Sequence, residues 1–362
     1  MKRTFNNKKF KTARILRGKT IEMLAIDTEI NKKDLLAFEE NKYKPTVENE
    51  MKISNALNFP KNYFFTDDRL KINIDSTHIR PESRLPRIEE IAYKERLVFI
   101  HKIFAFAENY VQFPQMEIDF DMNKNDDIEN LASSLRKNMD LGNKPIVNMM
   151  NLLESNGFII TDHNVNKKNA LSFTQKQTSD KGTRYFISLG NDRKDLCSRN
   201  VDLAYELAYV LGNEIKVQQK KFRQDELALA FLLPKEEYFE DFENINELDD
   251  YLPLKRKWAV PIWALITRAH DLGFITYKKY TYLLNEMNKR GWSKKEPIEG
   301  KGGVPVILKQ AIEVILEVME PEELIDGLAQ FGLNIYKSEV EDLFGLKKGT
   351  LGFEEGKVVK FK

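Results

Sequence analysis

Gly18-Lys19-Thr20-Ile21-Glu22-Met23-Leu24-Ala25-Ile26-Asp27-Thr28-Glu29-Ile30-Asn31-Lys32-Lys33-Asp34-Leu35-Leu36-Ala37-Phe38-Glu39 is the stretch from which the N-terminal fold can be read. Leu24 and Ala25, then Leu35 and Phe38, recur at helical spacing, and the residues between them punctuate two short helices. Gly18 closes a preceding helix whose apolar positions are Phe10, Ala13 and Leu16. Thr20 is a good N-cap, and after a turn at Thr28 to Ile30, Asn31 caps a third helix starting at Lys32. Ile53, Leu57 and Phe64 continue the pattern, so Phe10 to Phe64 predicts four or five short helices. Two such helices joined by a tight turn can lay the second in a DNA major groove.

The same stretch resembles the Cro/repressor-type helix-turn-helix of the XRE family. The match runs through Ala13-Arg14, Gly18, Thr20, Leu24-Ala25, Asn31, Leu35, Phe38-Glu39, Asn41-Lys42, Pro45-Thr46, Ile53 and Ala56-Leu57. It implies double-stranded operator DNA as partner, with Thr20 and Asn31 at the helix starts belonging to the DNA-binding set. By the same resemblance Lys32, Lys33 and Ala37 face base edges, the lysines donating to guanine acceptors and the alanine touching a thymine methyl. Asn41, Lys42 and Lys44 follow the recognition helix and meet phosphates. On composition alone Lys32 and Lys33 are a solvated pair; the surrounding motif is what gives them base-facing roles. Two departures stand out: Ile21 occupies the place of a phosphate-contacting Gln, and Glu29 replaces the common turn Gly. Residues 1–64 hold 14 Lys and Arg against 8 Asp and Glu, while the whole chain is only +1, so the basic end is the electrostatic footprint.

A second informative stretch is Val201-Asp202-Leu203-Ala204-Tyr205-Glu206-Leu207-Ala208-Tyr209. In HExxH two imidazoles four residues apart hold one zinc while the Glu activates its water. Here tyrosine stands at both ligand places, and a phenol stays protonated to about pH 10. Spacing alone leaves an ordinary amphipathic helix as the simpler reading, and the flanks reverse it. Tyr185 to Asn191 reads as a strand and turn, and Arg193 to Asn200 leads into the helix. Upstream come a helix at Leu131 to Arg136, Lys144 to Asn148, and Leu152 to Ile160; downstream comes Asp225 to Pro234. This order resembles the ImmA/IrrE metallopeptidase family over about half the chain. The resemblance implies an α+β zincin-like middle whose third ligand falls near Arg223, with Asp225 or Glu226 reached if the register slips. With Tyr205, Tyr209 and Arg223 in place of ligands, it implies a pseudo-peptidase with no metal, no cofactor and no enzymatic activity. Cys197, the only cysteine, has a conceivable but unsupported thiol role, and His78, His101, His163 and His270 show no ligand-pair or nucleophile-base spacing.

The expected architecture is multidomain and mainly α. It comprises a helix-turn-helix head at 1–66, a linker and connecting helix at 67–110, the pseudo-peptidase at 111–250, a basic helical extension at 251–297, and a helical dimerisation or sensor module at 298–362. Thr77 to Arg87, with Pro81 and Pro86, reads as a connector, and Ile88 to Tyr110 as a helix packing on the middle domain. The acidic run from Glu236 to Asp250 reads as a solvated loop or helix face. Lys255 to Lys257 are either a docking surface for it or a second nucleic-acid patch. Gly300 to Gly303 lacks the residues of a phosphate loop and reads as a linker. Val304 to Leu346 predicts three amphipathic helices whose apolar stripe is closed core or an association surface. No apolar run reaches the roughly 20 residues of a membrane span, and the single cysteine excludes an internal disulfide framework, which points to the cytosol. The expected function is a phage or mobile-element transcriptional repressor that binds paired half-sites as a homodimer and is relieved by an inducer protein or ligand. Two alternatives remain at this stage: an active zinc peptidase that cleaves a repressor, and the DNA-binding antitoxin of a toxin-antitoxin pair.

Overall fold

The computed structural model describes residues 4–79, 86–116, 127–163, 172–191, 195–214, 223–242, 245–300 and 303–352. The N-terminal head consists of α1 (Asn7–Leu16), α2 (Ile21–Thr28), α3 (Lys32–Glu39), α4 (Val47–Leu57) and a 3-10 turn at Lys61–Phe65. Each α-helix starts on a side chain that satisfies an orphan backbone N–H. Thr20 Oγ1 accepts from Met23 N–H at 3.2 Å, and Asn31 Oδ1 accepts from Lys33 N–H at 2.9 Å. Phe10, Ala13, Leu24, Leu35, Phe38, Ile53 and Leu57 meet in the core. Arg14 ties α1 to α3 by two N–H donations to the Glu39 carboxylate, at 2.6 and 3.2 Å. Ile21 is 8% exposed, so it fills the core where a Gln would face a phosphate. α2 ends on Glu29 at φ 56°, the left-handed conformation that a turn glycine adopts without steric penalty.

Behind the head lies a mixed four-stranded sheet of β1 (Asn73–Ile79), β2 (Ile159–His163), β3 (Phe173–Ser179) and β4 (Gly182–Gly190), in the order β1-β3-β4-β2. β3 pairs antiparallel with both β1 and β4, and β2 runs parallel to β4. Alternate side chains of a strand point to opposite faces, and here both faces are apolar. Ile160, Tyr185, Ile187 and Leu189 join the core formed with α6 (Ile128–Asn138), α7 (Met149–Ser155), α8 (Leu196–Glu214) and α9 (Gln224–Leu232). Ile159, Phe173 and Phe186 face the other way, into a second core built with α5 (Arg87–Ala107) and the head.

Residues 67–110 are therefore more than a linker and connecting helix. β1 is an edge strand of the sheet, and α5 covers the face that α6 to α9 leave open. Thr77 to Ile79, expected in a connector, are held in β1 by backbone pairing to β3, which apolar periodicity does not reveal. Pro86 caps the start of α5; Pro81 and Arg193 lie outside the described residues.

The acidic run forms α10 (Lys235–Phe242), with Tyr238 buried, and a 3-10 turn at Leu248–Asp250. After it, α11 (Tyr251–Trp258), α12 (Ile262–Asp271) and α13 (Tyr277–Lys289) share the first core, so residues 251–297 have no core of their own. The basic cluster docks on acidic neighbours, Lys257 on Asp241 at 2.6 Å and buried Lys255 on Glu296 at 2.9 Å.

α14 (Ile307–Leu316), α15 (Pro321–Gln330) and α16 (Lys337–Phe344) bury their apolar stripe in the second core, where Ile312, Ile315, Leu324, Leu328, Val340 and Phe344 pack with α5 and the head. That stripe is closed core, so it offers no association surface. The head is bolted to this assembly through α1, which lies across α5. Lys9 Nζ reaches Asp68 and the Gly332 carbonyl, each at 2.5 Å, and Arg17 forks onto Glu339 at 2.9 and 3.1 Å. At the start of α14 the buried Glu154 carboxylate accepts from Ile307 N–H at 3.3 Å, and burial pushes its pKa up to about 7.

Replacing Glu29 by Gly removes a left-handed side chain whose steric cost is about 1–2 kcal/mol, part of which is returned through the freer unfolded chain. A net gain of about 0.5–1 kcal/mol is expected from urea unfolding. Folded Glu154 keeps its proton to about pH 7, whereas an ordinary glutamate loses it near 4.5. Its contribution to stability therefore falls as pH rises through that window and stays low above it. In Glu154→Gln this fall should vanish, leaving the variant more stable than the parent above pH 7 by up to about 3 kcal/mol. Unfolding midpoints from pH 4 to 8 check it.

Candidate functional site

Lys32 and Lys33 open α3 with exposed side chains, and Leu36, one turn on and 37% exposed, shares their face. The Lys32 ammonium is engaged by Glu22 of α2, whose carboxyl is held down to about 2, first by that hydrogen bond. Lys33 makes no ion pair among the described residues, so it is the readier donor. Ala37 departs from its expected place at the base edges. It is 7% exposed, closed over where the chain turns back and Lys42 N–H donates to its carbonyl at 2.9 Å, and Leu36 takes the outward position.

Asn41 and Lys42 are exposed in that turn. Lys44 is tied inward: its ammonium donates to the Phe5 carbonyl at 2.8 Å and to Asn41 Oδ1. Thr20 and Asn31 use their side chains as helix caps. Since Lys9, Thr12 and Arg17 of the first helix and its C-cap bind the body, the α3 face is left open. This surface can donate to groove acceptors and phosphates.

The second site lies on α8, around Tyr205, Glu206 and Tyr209. Tyr205 and Tyr209 lie on α8, and His78 from β1 stacks on both, its ring centroid 3.6 Å from that of Tyr209 and 5.9 Å from that of Tyr205. Sequence reasoning missed this juxtaposition, because β1 carries no strong apolar alternation and lies more than a hundred residues upstream. Glu206 is fully buried, and its carboxylate accepts from Ser172 Oγ at 2.7 Å and Thr174 Oγ1 at 2.6 Å. Burial raises the Tyr209 phenol further from the phenolate that a metal requires. Arg223 is exposed and pairs with both Asp225 and Glu226 at 2.9 Å, taking up the carboxylates that were the other candidates for a third ligand. This donor set does not fit zinc, and among the described residues no group of three or more His, Cys, Asp or Glu gathers to hold a metal.

The other candidates are packing residues. His101 and His163 are buried, and burial lowers their pKa to about 4 and about 3. His270 lies against Tyr280. Cys197 is buried, and burial pushes its thiol up to about 11, away from nucleophilic character.

Residues 7–68 match a family described as a helix-turn-helix domain. No curated protein and no solved structure matches the chain. The protein thus has an N-terminal helix-turn-helix domain, the fold by which many transcription regulators bind DNA, on a mostly helical body with a small mixed sheet. No helix among the described residues is long and apolar enough to cross a membrane.

Glu206→Ala would strand two buried hydroxyls without their acceptor, so it should destabilise the fold by about 2–4 kcal/mol. An unchanged unfolding midpoint would show that the carboxylate is not a structural acceptor and would reopen a chemical role.

Proposed function

We propose that this protein is a sequence-specific DNA-binding transcriptional repressor of a phage or other mobile genetic element, reading its operator through the start of α3. The observation that carries the reading is the open α3 face. Lys32 and Lys33 project from its first turn, and the body is fastened to the head through α1 rather than α3. Lys33 is the principal base-reading donor, because Lys32 must first leave Glu22. Lys42 meets phosphate and sets register rather than sequence.

The repressor acts as a homodimer, since a helix of this kind reads paired half-sites about one DNA turn apart. The middle region is a pseudo-peptidase, neither metal-bound nor catalytic; the tyrosine pair under His78 and the inward Glu206 support this reading. With the C-terminal helices, it senses an inducer protein or ligand. Repression is relieved when that inducer binds the DNA-free form better, since only differential affinity moves the equilibrium.

Footprinting the DNA upstream of the protein's own gene tests this. Lys33→Ala should weaken the footprint by about 1–3 kcal/mol and relax selectivity at one base pair, and Lys32→Ala should do so by less. Lys42→Ala should weaken all sequences alike and flatten the salt dependence. A footprint unchanged in the Lys32→Ala/Lys33→Ala double variant overturns the base-reading assignment.

A further inference from the structure

Where the head, α5, the sheet and the C-terminal helices meet, a cleft of about 580 Å³ opens. Its walls bring together residues from all four: Arg17 at the end of α1, Arg96 of α5, Asp162 of β2, and Lys309, Glu339 and Asp342 of the C-terminal module. The volume is that of a small-molecule site. Most of its charges are already matched. Glu339 holds Arg17 at 2.9 Å, and behind the wall the buried Arg199 lies 3.0 Å from Asp162.

Asp342 and Arg96 make no ion pair among the described residues, and of the two only Arg96 has a buried atom left without a hydrogen bond. Its Nε is buried and meets no hydrogen-bond acceptor among the described residues, although the side chain lines an open polar cleft. Buried donors are normally paired, and a buried N–H left without an acceptor is costly. Burial also lowers its pKa, while the field of Glu339 works against that shift. A planar guanidinium presented to a cleft is suited to a carboxylate or a phosphate.

We infer that this cleft is a binding site for a small organic anion, whose carboxylate or phosphate group seats on Arg96. An anion placed there lies beside the Arg17–Glu339 pair, the contact that fastens the head to α16. The bound group competes with Glu339 for positive charge, so occupancy is felt at the hold on the DNA-reading head. The site deepens the sensing half of the function proposed above, supplying the ligand class, and its coupling to the head rests on that reading. Binding of the anion itself needs no DNA.

Thermal unfolding of the full chain at constant ionic strength, with inorganic phosphate, AMP and glutarate as probes against a chloride control, tests the inference. At least one probe should raise the midpoint by several degrees at saturation, phosphate and AMP marking a phosphate ligand and glutarate a carboxylate. Arg96→Gln should abolish the rise. Val304→Trp, which fills the exposed rim of the cleft and leaves every charge in place, should abolish it too and serves if Arg96→Gln does not fold. No rise with any probe, or a rise that survives Val304→Trp, overturns the site. Neither result bears on the Lys33→Ala footprint, so failure of the cleft and failure of DNA reading are told apart.

Discussion

The burial of β2 and β4 on both faces governs the rest of the structure. Ile159 and Ile160, and likewise Phe186 and Ile187, are neighbours in sequence that enter different cores. A sheet with two apolar faces must be covered twice. Helices α6 to α9 cover one face, and α5 is needed for the other. Once α5 is in place, α1 packs across it and the C-terminal helices close around it, so the position of the head follows from the sheet.

Each face of the sheet also carries a polar anchor. On the α5 side His101 Nδ1 lies 3.0 Å from Gln177 Oε1, and the chain continues through Gln175 to Thr77 of β1. On the α8 side Ser172 and Thr174 donate to Glu206. A strand slipped by one residue would exchange these sets between the faces and leave buried groups without partners. The Glu206 carboxylate thereby fixes the packing of α8 on β3.

The electrostatics of the head divide in a similar way. Lys9, Arg14 and Arg17 contribute to its basic excess, yet all three are turned inward, onto Asp68, Glu39 and Glu339. Lys8 and Lys11 of α1 stay exposed beside the cations on α3 and the turn after it, so the surface able to read DNA is narrower than the net charge suggests. The inward cations are what couple the head to the body, and the Arg17–Glu339 pair lies on the wall of the cleft that carries Arg96.

The local order of elements could be read from the chain. Thr20 and Asn31 cap helices, Tyr185 to Gly190 is strand, Leu131, Leu153 and Leu207 lie on helices, and three amphipathic helices follow Val304. These depend on neighbours a few residues apart, where capping chemistry and periodicity act. β1 was not legible, because an edge strand is held by a partner about a hundred residues away, and neither was His78 stacking on Tyr209. Ala37 and Leu36 could not be sorted, since which flank of a two-turn helix is buried depends on the turn that crosses it. By itself the sequence determined the head and its caps, both properties of short segments. Only the tertiary structure decided that the C-terminal stripe is core, that Glu206 is a structural acceptor and that Arg96 faces a cleft, because burial and hydrogen-bond partners are set by segments that meet only in space.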